Sequence, residues 1–143
     1  MSPVVQQFRN WASGLGARTL ELSILLNPVP ASRPRVTRWG AYYGKRYSTW
    51  KKEAPLHLPS DKDPYFGKSH VAVCLEFVVA KPKTTKRTNP NGDIDNYTKA
   101  ALDAITSCGA VWDDDMQVTV NVAEKRFASR GETPGTYIYI VEY

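Results

Sequence analysis

Two short stretches carry the side chains most able to do chemistry. Asp93-Ile94-Asp95-Asn96-Tyr97-Thr98-Lys99 sets two carboxylates one residue apart with a lysine four residues on, and Trp112-Asp113-Asp114-Asp115 returns a run of aspartates about one helix later. Carboxylate oxygens converging on one point suit Mg²⁺, which takes few protein ligands and fills the rest of its octahedron with water and substrate phosphate. The same residues have plainer uses. Aspartates at a helix start commonly cap it, and three successive like charges are relieved by solvent as well as by a cation. Lys99 follows Asp95 by four residues and precedes Asp103 by four, so the three share one helical face. That spacing builds a surface ion-pair ladder worth about 0.2–0.5 kcal/mol per pair, or it places an ammonium where charge develops on a scissile phosphate. A calcium loop is disfavoured, because Thr98 stands where the loop needs glycine and Ala104 where it needs glutamate.

The elements that must position these groups follow from periodicity and caps. A helix is expected from Asp95 to Cys108, with Asp95 as its cap, helix-favouring Ala100, Ala101, Leu102, Ala104 and Ile105 inside it, and Gly109 at its end. Asp93 then lies just outside, and both carboxylates face the positive end of the helix dipole. Residues 71–80 are apolar on both faces apart from Glu76 and read as a central strand. The basic, turn-rich segment 81–92 delivers the chain from that strand to Asp93. Residues 117–125 and 136–143 alternate as strands, and 130–135 reads as the turn that makes them a hairpin. Upstream, residues 3–15 space apolar groups as one face of a short helix, and residues 19–26 alternate as a strand stopped by Pro28 and Pro30. Ser48 is the expected cap of a helix from Thr49, ending near Pro55 or Pro59, and residues 59–68 form a loop whose Asp61 and Asp63 receive no chemical role. Whether the second aspartate run meets the first depends on the sheet, which periodicity does not specify.

Residues 32–47 pack five cations, four aromatics and two glycines into sixteen positions without a clean period. Such a segment reads as an extended arm or hairpin whose arginines contact phosphates while its rings stack or pack; a solvated basic loop is the plainer alternative. The chain's 143 residues fit one domain, and its 42% hydrophobic and 23% charged residues are ordinary for a soluble globular protein. A net charge of +5 favours a polyanionic partner without specifying which. No stretch approaches the ~18 apolar residues of a membrane span, and the N-terminus lacks the pattern of an export signal, so the expected compartment is the cytoplasm. Cys74 and Cys108 match no metal or redox spacing and read as free thiols, while His57 and His70 lack partners at zinc spacing.

At the aspartates the sequence resembles the RusA family of Holliday-junction resolvases. The stretch Asp93-Ile94-Asp95-Asn96-Tyr97-Thr98-Lys99-Ala100-Ala101-Leu102-Asp103-Ala104, the later Gly109-Ala110-Val111-Trp112-Asp113-Asp114-Asp115-Met116-Gln117-Val118, and Arg33-Pro34-Arg35-Val36-Thr37 after the first strand carry the likeness. It covers residues 19–142, leaving residues 1–16 as an extra helix expected to serve packing or dimer contact. The resemblance implies a single small α+β domain with a mixed or antiparallel sheet packed against helices. It implies a Mg²⁺-dependent endonuclease, with Mn²⁺ a substitute, that nicks four-way DNA junctions in symmetric pairs as a homodimer during recombination and repair. It also implies a bacterial or phage-encoded protein without membrane contact. Asp93, Asp95 and Asp115 correspond to the family's essential aspartates, Lys99 to its catalytic lysine, and Asp114 to a further, less critical metal-side carboxylate. The third aspartate, Asp113, leaves the choice between Asp114 and Asp115 open; matching Gln117-Val118 favours Asp115. Arg33, Arg35, Arg38, Lys45, Arg46, Lys81, Lys83 and Lys86 are the expected DNA-backbone contacts. Where relatives carry a basic residue and proline before the first aspartate, Asn91-Gly92 stand here, so local DNA contacts differ.

Two other readings compete. A non-catalytic branched-DNA-binding module would use the aspartates only as caps and turns, and a metal nuclease could act instead on another branched DNA or on RNA. A small-molecule phosphohydrolase fits least, since it needs no cations spread over two segments.

Overall fold

A computed structural model describes residues 2–42, 44–61 and 63–143. Its spine is β4 (Val71–Val79), in which every residue is buried. Strands β1 (Thr19–Ile24), β5 (Val118–Phe127) and β6 (Gly135–Glu142) complete a four-stranded sheet in the order β1-β6-β4-β5. β4 runs antiparallel to β6 and parallel to β5, and β1 pairs only with β6. The sheet is therefore mixed, as the α+β reading expects, and the doubly apolar β4 is interior. Helix α3 (Ile94–Cys108) is the crossover between the parallel pair β4 and β5.

The expected hairpin of the last two strands is not formed. β4 lies between β5 and β6, and the turn at 130–135 carries the chain across it. Alternation along each strand was read correctly, but pairing depends on which strand can bury both faces. The apolar β4 fills the central slot, while β5, half-exposed along its length, takes an edge.

Two layers cover the sheet. On one side Val71, Val73, Leu75, Phe77 and Val79 of β4 join Tyr97, Ala100, Ala101, Ala104 and Ile105 of α3 in the main core. These α3 positions recur at three and four residues, so the helix buries one stripe and keeps Asp95 and Lys99 in solvent. On the other side Val5, Phe8 and Ala12 of α1 (Pro3–Gly14) pack on Ala72, Cys74 and Val141. Ser2 caps α1, its hydroxyl accepting from Val5 N–H at 3.2 Å.

Helix α2 spans Lys45–Glu53 and runs into a 3-10 turn at Ala54–His57. It begins four residues before the expected Thr49, with Gly44 rather than Ser48 at the cap position. The reason is packing: Tyr47, Trp50 and Ala54 form a buried stripe that needs Tyr47 inside the helix. Before it, β2 (Arg35–Thr37) and β3 (Gly40–Tyr42) form a separate two-stranded hairpin. Among the described residues no helix is long and apolar enough to cross a membrane.

Candidate active site

Asp93, not Asp95, occupies the N-cap position of α3, and the helix starts at Ile94. The preceding loop sets this register. Gly92 has φ +99°, and a Cβ there would meet Pro30 Cγ at 2.9 Å and the Tyr97 ring at 3.2 Å, so only glycine lets the chain turn into the helix at this point. The Tyr97 hydroxyl donates to Asn91 O at 2.6 Å, and Ala31 N–H donates to Asn96 O at 2.9 Å. Asp95 falls in the first turn, where it favours the helix dipole, and its Oδ1 accepts from Asn96 N–H at 3.1 Å. Both carboxylates are exposed.

Lys125, on β5, braces the same loop. Its ammonium donates to Pro90 O at 2.7 Å and to Gly92 O at 2.5 Å. The alternation of β5 marked this residue only as one face of a strand. Its role depends on the parallel pairing of β4 with β5, which brings the end of β5 beside the loop leaving β4.

The second aspartate run is held as firmly. Trp112 is fully buried, and its indole N–H donates to Thr106 Oγ1 of α3 at 2.8 Å. The Gln117 side chain accepts from Asp113 N–H at 2.8 Å and from Asp114 N–H at 2.9 Å, and donates to Gly67 O and Ser69 O at 2.9 and 2.8 Å. Residues 64–69 answer with Tyr65 N–H on Ala110 O and Phe66 N–H on Val111 O. A loop with no chemistry of its own thus fixes the backbone that presents Asp113, Asp114 and Asp115.

Asp115 is the half-buried member of the run; Asp113 and Asp114 are exposed. Burial pushes its carboxyl up, helped by a hydrogen bond with Asp114 and by the charges of Asp114 and Asp103, while Lys99 pulls the other way. Asp115 therefore sits within electrostatic reach of the Lys99–Asp103 face of α3. Asp93 and Asp95 occupy the end of that helix, with Asp95 about 12 Å along the axis from Asp103. Among the described residues no three carboxylate, imidazole or thiolate side chains converge as a metal site. The carboxylates come instead in two groups, Asp93 and Asp95 at the start of α3 and Asp113 to Asp115 beyond its end.

The cations form a second group. Arg33, Arg35 and Arg38 are exposed on and before the β2–β3 hairpin. Lys45 and Arg46 belong to the first turn of α2, and Arg46 lies close enough to Tyr97 to act on its hydroxyl, which burial otherwise pushes up. Tyr47 packs in the core rather than joining an arm, and Tyr43 lies outside the described residues. Lys81, Lys83 and Lys86 are exposed on the loop to Asp93, with the Lys81 ammonium 5.9 Å from the Phe127 ring centre. Arg87, in the same loop, donates to Asn91 Oδ1 at 2.9 Å and so stiffens the approach to the site.

A family model described as Endodeoxyribonuclease RusA matches residues 26–141. The matched span begins after β1, so it contains the hairpin, α2, the core strands β4 and β5, and every carboxylate discussed above, and excludes α1. No curated protein matches the chain.

Proposed function

The chain belongs to the RusA endodeoxyribonuclease family, and on that premise we propose that it resolves four-way DNA junctions by paired, symmetric, Mg²⁺-dependent nicks in recombination and repair. The observation that carries the reading is the half-buried Asp115, set against Asp114 and within reach of Asp103 and Lys99, its carboxyl pushed up by burial first and by Asp114 second. Like-charged oxygens held together by a rigid backbone are relieved by a divalent cation.

The donor chemistry fits Mg²⁺, or Mn²⁺ in its place, because such ions commonly use only one or two carboxylates and leave other positions to water and phosphate. Asp93, Asp95 and Asp115, with Asp114 beside the last, are the residues that would hold it. When bound, the ion supplies a polarised phosphate and a water of lowered pKa. Lys99 places an ammonium where negative charge develops during in-line attack, which leaves a 5′-phosphate and a 3′-hydroxyl. Lys125 and Gly92 keep Asp93 in register, and Gln117 and Trp112 do the same for Asp115. Arg33, Arg35, Arg38, Lys45, Arg46, Lys81, Lys83 and Lys86 hold the DNA backbone, so binding weakens steeply with salt. Two coordinated cuts across a two-fold junction require two sites, which a homodimer supplies. The setting is the cytoplasm of a bacterial or phage-infected cell, where the DNA lies.

The test compares a synthetic four-way junction with linear duplex of the same arms, in Mg²⁺ and in EDTA, for the wild type and Asp95→Asn. Paired nicks on the junction alone, abolished by EDTA and by Asp95→Asn while junction binding persists, are the expected result. Tight binding without nicks in Mg²⁺ or Mn²⁺ would instead leave a branched-DNA-binding module. Nicks on other branched DNA or on RNA in preference to the junction would change the substrate.

A further inference from the structure

The β2–β3 hairpin leaves Trp39 85% and Val36 83% exposed, although the same chain buries Trp50 and Trp112 almost completely. A tryptophan left in water forgoes a large apolar gain, and its flat ring offers a stacking surface. The tip is ordered rather than loose. Thr37 Oγ1 accepts from Trp39 N–H at 3.2 Å and donates to Gly40 O at 3.2 Å, and Gly40 takes φ +122° to close the turn. The Arg38 guanidinium lies over the Trp39 ring, 4.9 Å from its centre.

The electrostatics around the ring select its partner. Arg38 lies on the ring, Arg33 and Arg35 are exposed before and on the same hairpin, and no acidic residue occurs anywhere between Glu21 and Glu53. The root of the hairpin is fastened to the start of α3, through Ala31 N–H on Asn96 O at 2.9 Å and through Pro30 lying over Gly92. A polyanion gripped by the arginines is thereby led toward Asp93 and Asp95. Within an intact duplex both faces of each base are already covered by neighbours. At a branch point they are not.

We propose that Trp39 stacks on an unstacked base at a strand discontinuity of branched DNA, while Arg33, Arg35 and Arg38 hold the flanking phosphates. This assignment rests on the nuclease reading above and names the feature by which the protein tells a branch from a duplex. Arg38 on the tryptophan face is displaced to a phosphate when the base arrives, so the exposed ring exchanges one flat partner for another. Val36, exposed on the same hairpin, adds apolar surface for the base.

The experiment measures binding in EDTA, where no cutting intervenes, for the wild type, Trp39→Ala and Trp39→Phe on a four-way junction, a single strand and a linear duplex. The junction carries 2-aminopurine next to its crossover. Stacking predicts about ten-fold weaker junction and single-strand binding for Trp39→Ala, near-complete recovery with Trp39→Phe, and unchanged duplex binding. It also predicts a 2-aminopurine signal that the wild type changes and Trp39→Ala does not. Equal junction affinity in all three proteins, or equal losses on junction and duplex, overturns the proposal. So does a Trp39→Ala protein that binds DNA normally but loses self-association in sedimentation, which would make the hairpin a contact between copies. Nicking by the wild type in Mg²⁺ is scored separately, so a failed nuclease reading leaves the stacking result interpretable.

Discussion

Each face of the sheet sets a carboxylate beside a cation, a guanidinium in contact on one face and an ammonium acting at a distance on the other. On the α1 side Arg126 is flanked by Glu76, Glu124 and Glu132, at 3.3, 4.0 and 2.6 Å. On the α3 side Asp115 feels the charges of Asp114 and Asp103 and, in the opposite direction, that of Lys99. The Arg126 fork makes two 2.6 Å bonds to Glu132 and, with Ser129 N–H, pulls that carboxyl down to about 2. Lys99 acts on Asp115 only through space, and the Asp115 carboxyl is pushed up by burial and by Asp114. A planar guanidinium in bidentate contact neutralises its partner where it sits, whereas a lysine point charge at a distance does not. The Arg126 fork fastens β4, β5 and the turn to β6, with Glu132 in bidentate contact and Glu76 beside it. Among the described residues Asp115 has no such fork, and it stays beside Asp114 on a backbone held by Gln117 and Trp112.

If this contrast is right, removing charge has opposite consequences on the two sides. Asp115→Asn should cut junction cleavage by more than the ~10–100-fold lost when a group that merely orients a metal ligand is removed. It should leave the urea midpoint unchanged or raised, because it relieves crowding. A destabilised Asp115→Asn protein would mean that the carboxylate is structural.

Arg126→Met should do the reverse, costing on the order of 3 kcal/mol of stability by leaving Glu76, 6% exposed, without its cation. Cleavage per folded molecule should persist, measured at a temperature where the variant remains native. Loss of cleavage without loss of stability would join the two clusters into one functional unit.

A smaller effect is expected at Lys125, the residue on β5 that reaches the α3 side. Lys125→Met frees the carbonyls of Pro90 and Gly92 and should slow cleavage about ten-fold while junction affinity stays level. An affinity loss with unchanged single-turnover rate would place Lys125 among the DNA contacts instead.

The gentlest probe is pH. The Glu132 carboxyl is held at about 2 in the folded protein against an ordinary 4.5. Its contribution to stability is therefore complete above pH 4.5, shrinks as pH falls, and is gone below about pH 2. Urea denaturation between pH 6 and 3 should show part of this decline, and Glu132→Gln should flatten it. The Asp115 carboxyl, shifted upward, contributes with the opposite sign.

Much of this was legible in the chain itself. The Asp93-to-Lys99 spacing, the helix ending at Gly109 and the doubly apolar β4 follow from local chemistry, because caps, periodicity and charge act within a few residues, while the α+β class came from the family resemblance. The same local rules mislead where a distant neighbour decides. Asp93 takes the cap because Gly92 turns against Pro30; α2 starts early because Tyr47 must be buried; β5 and β6 part because β4, buried along its whole length, lies between them. Lys125 and the loop at 64–69 had no signal at all, since each acts through backbone groups tens of residues away, and Gln117, legible only as a register mark beside Asp115, reaches Gly67 and Ser69 the same way. Sequence by itself thus determined which side chains are available for chemistry and which elements carry them. Only the tertiary structure decided that Asp115 is pressed against Asp114 beside Lys99 while Glu132 across the sheet is held in the Arg126 fork, because distance and burial, not composition, set the energy of a charge.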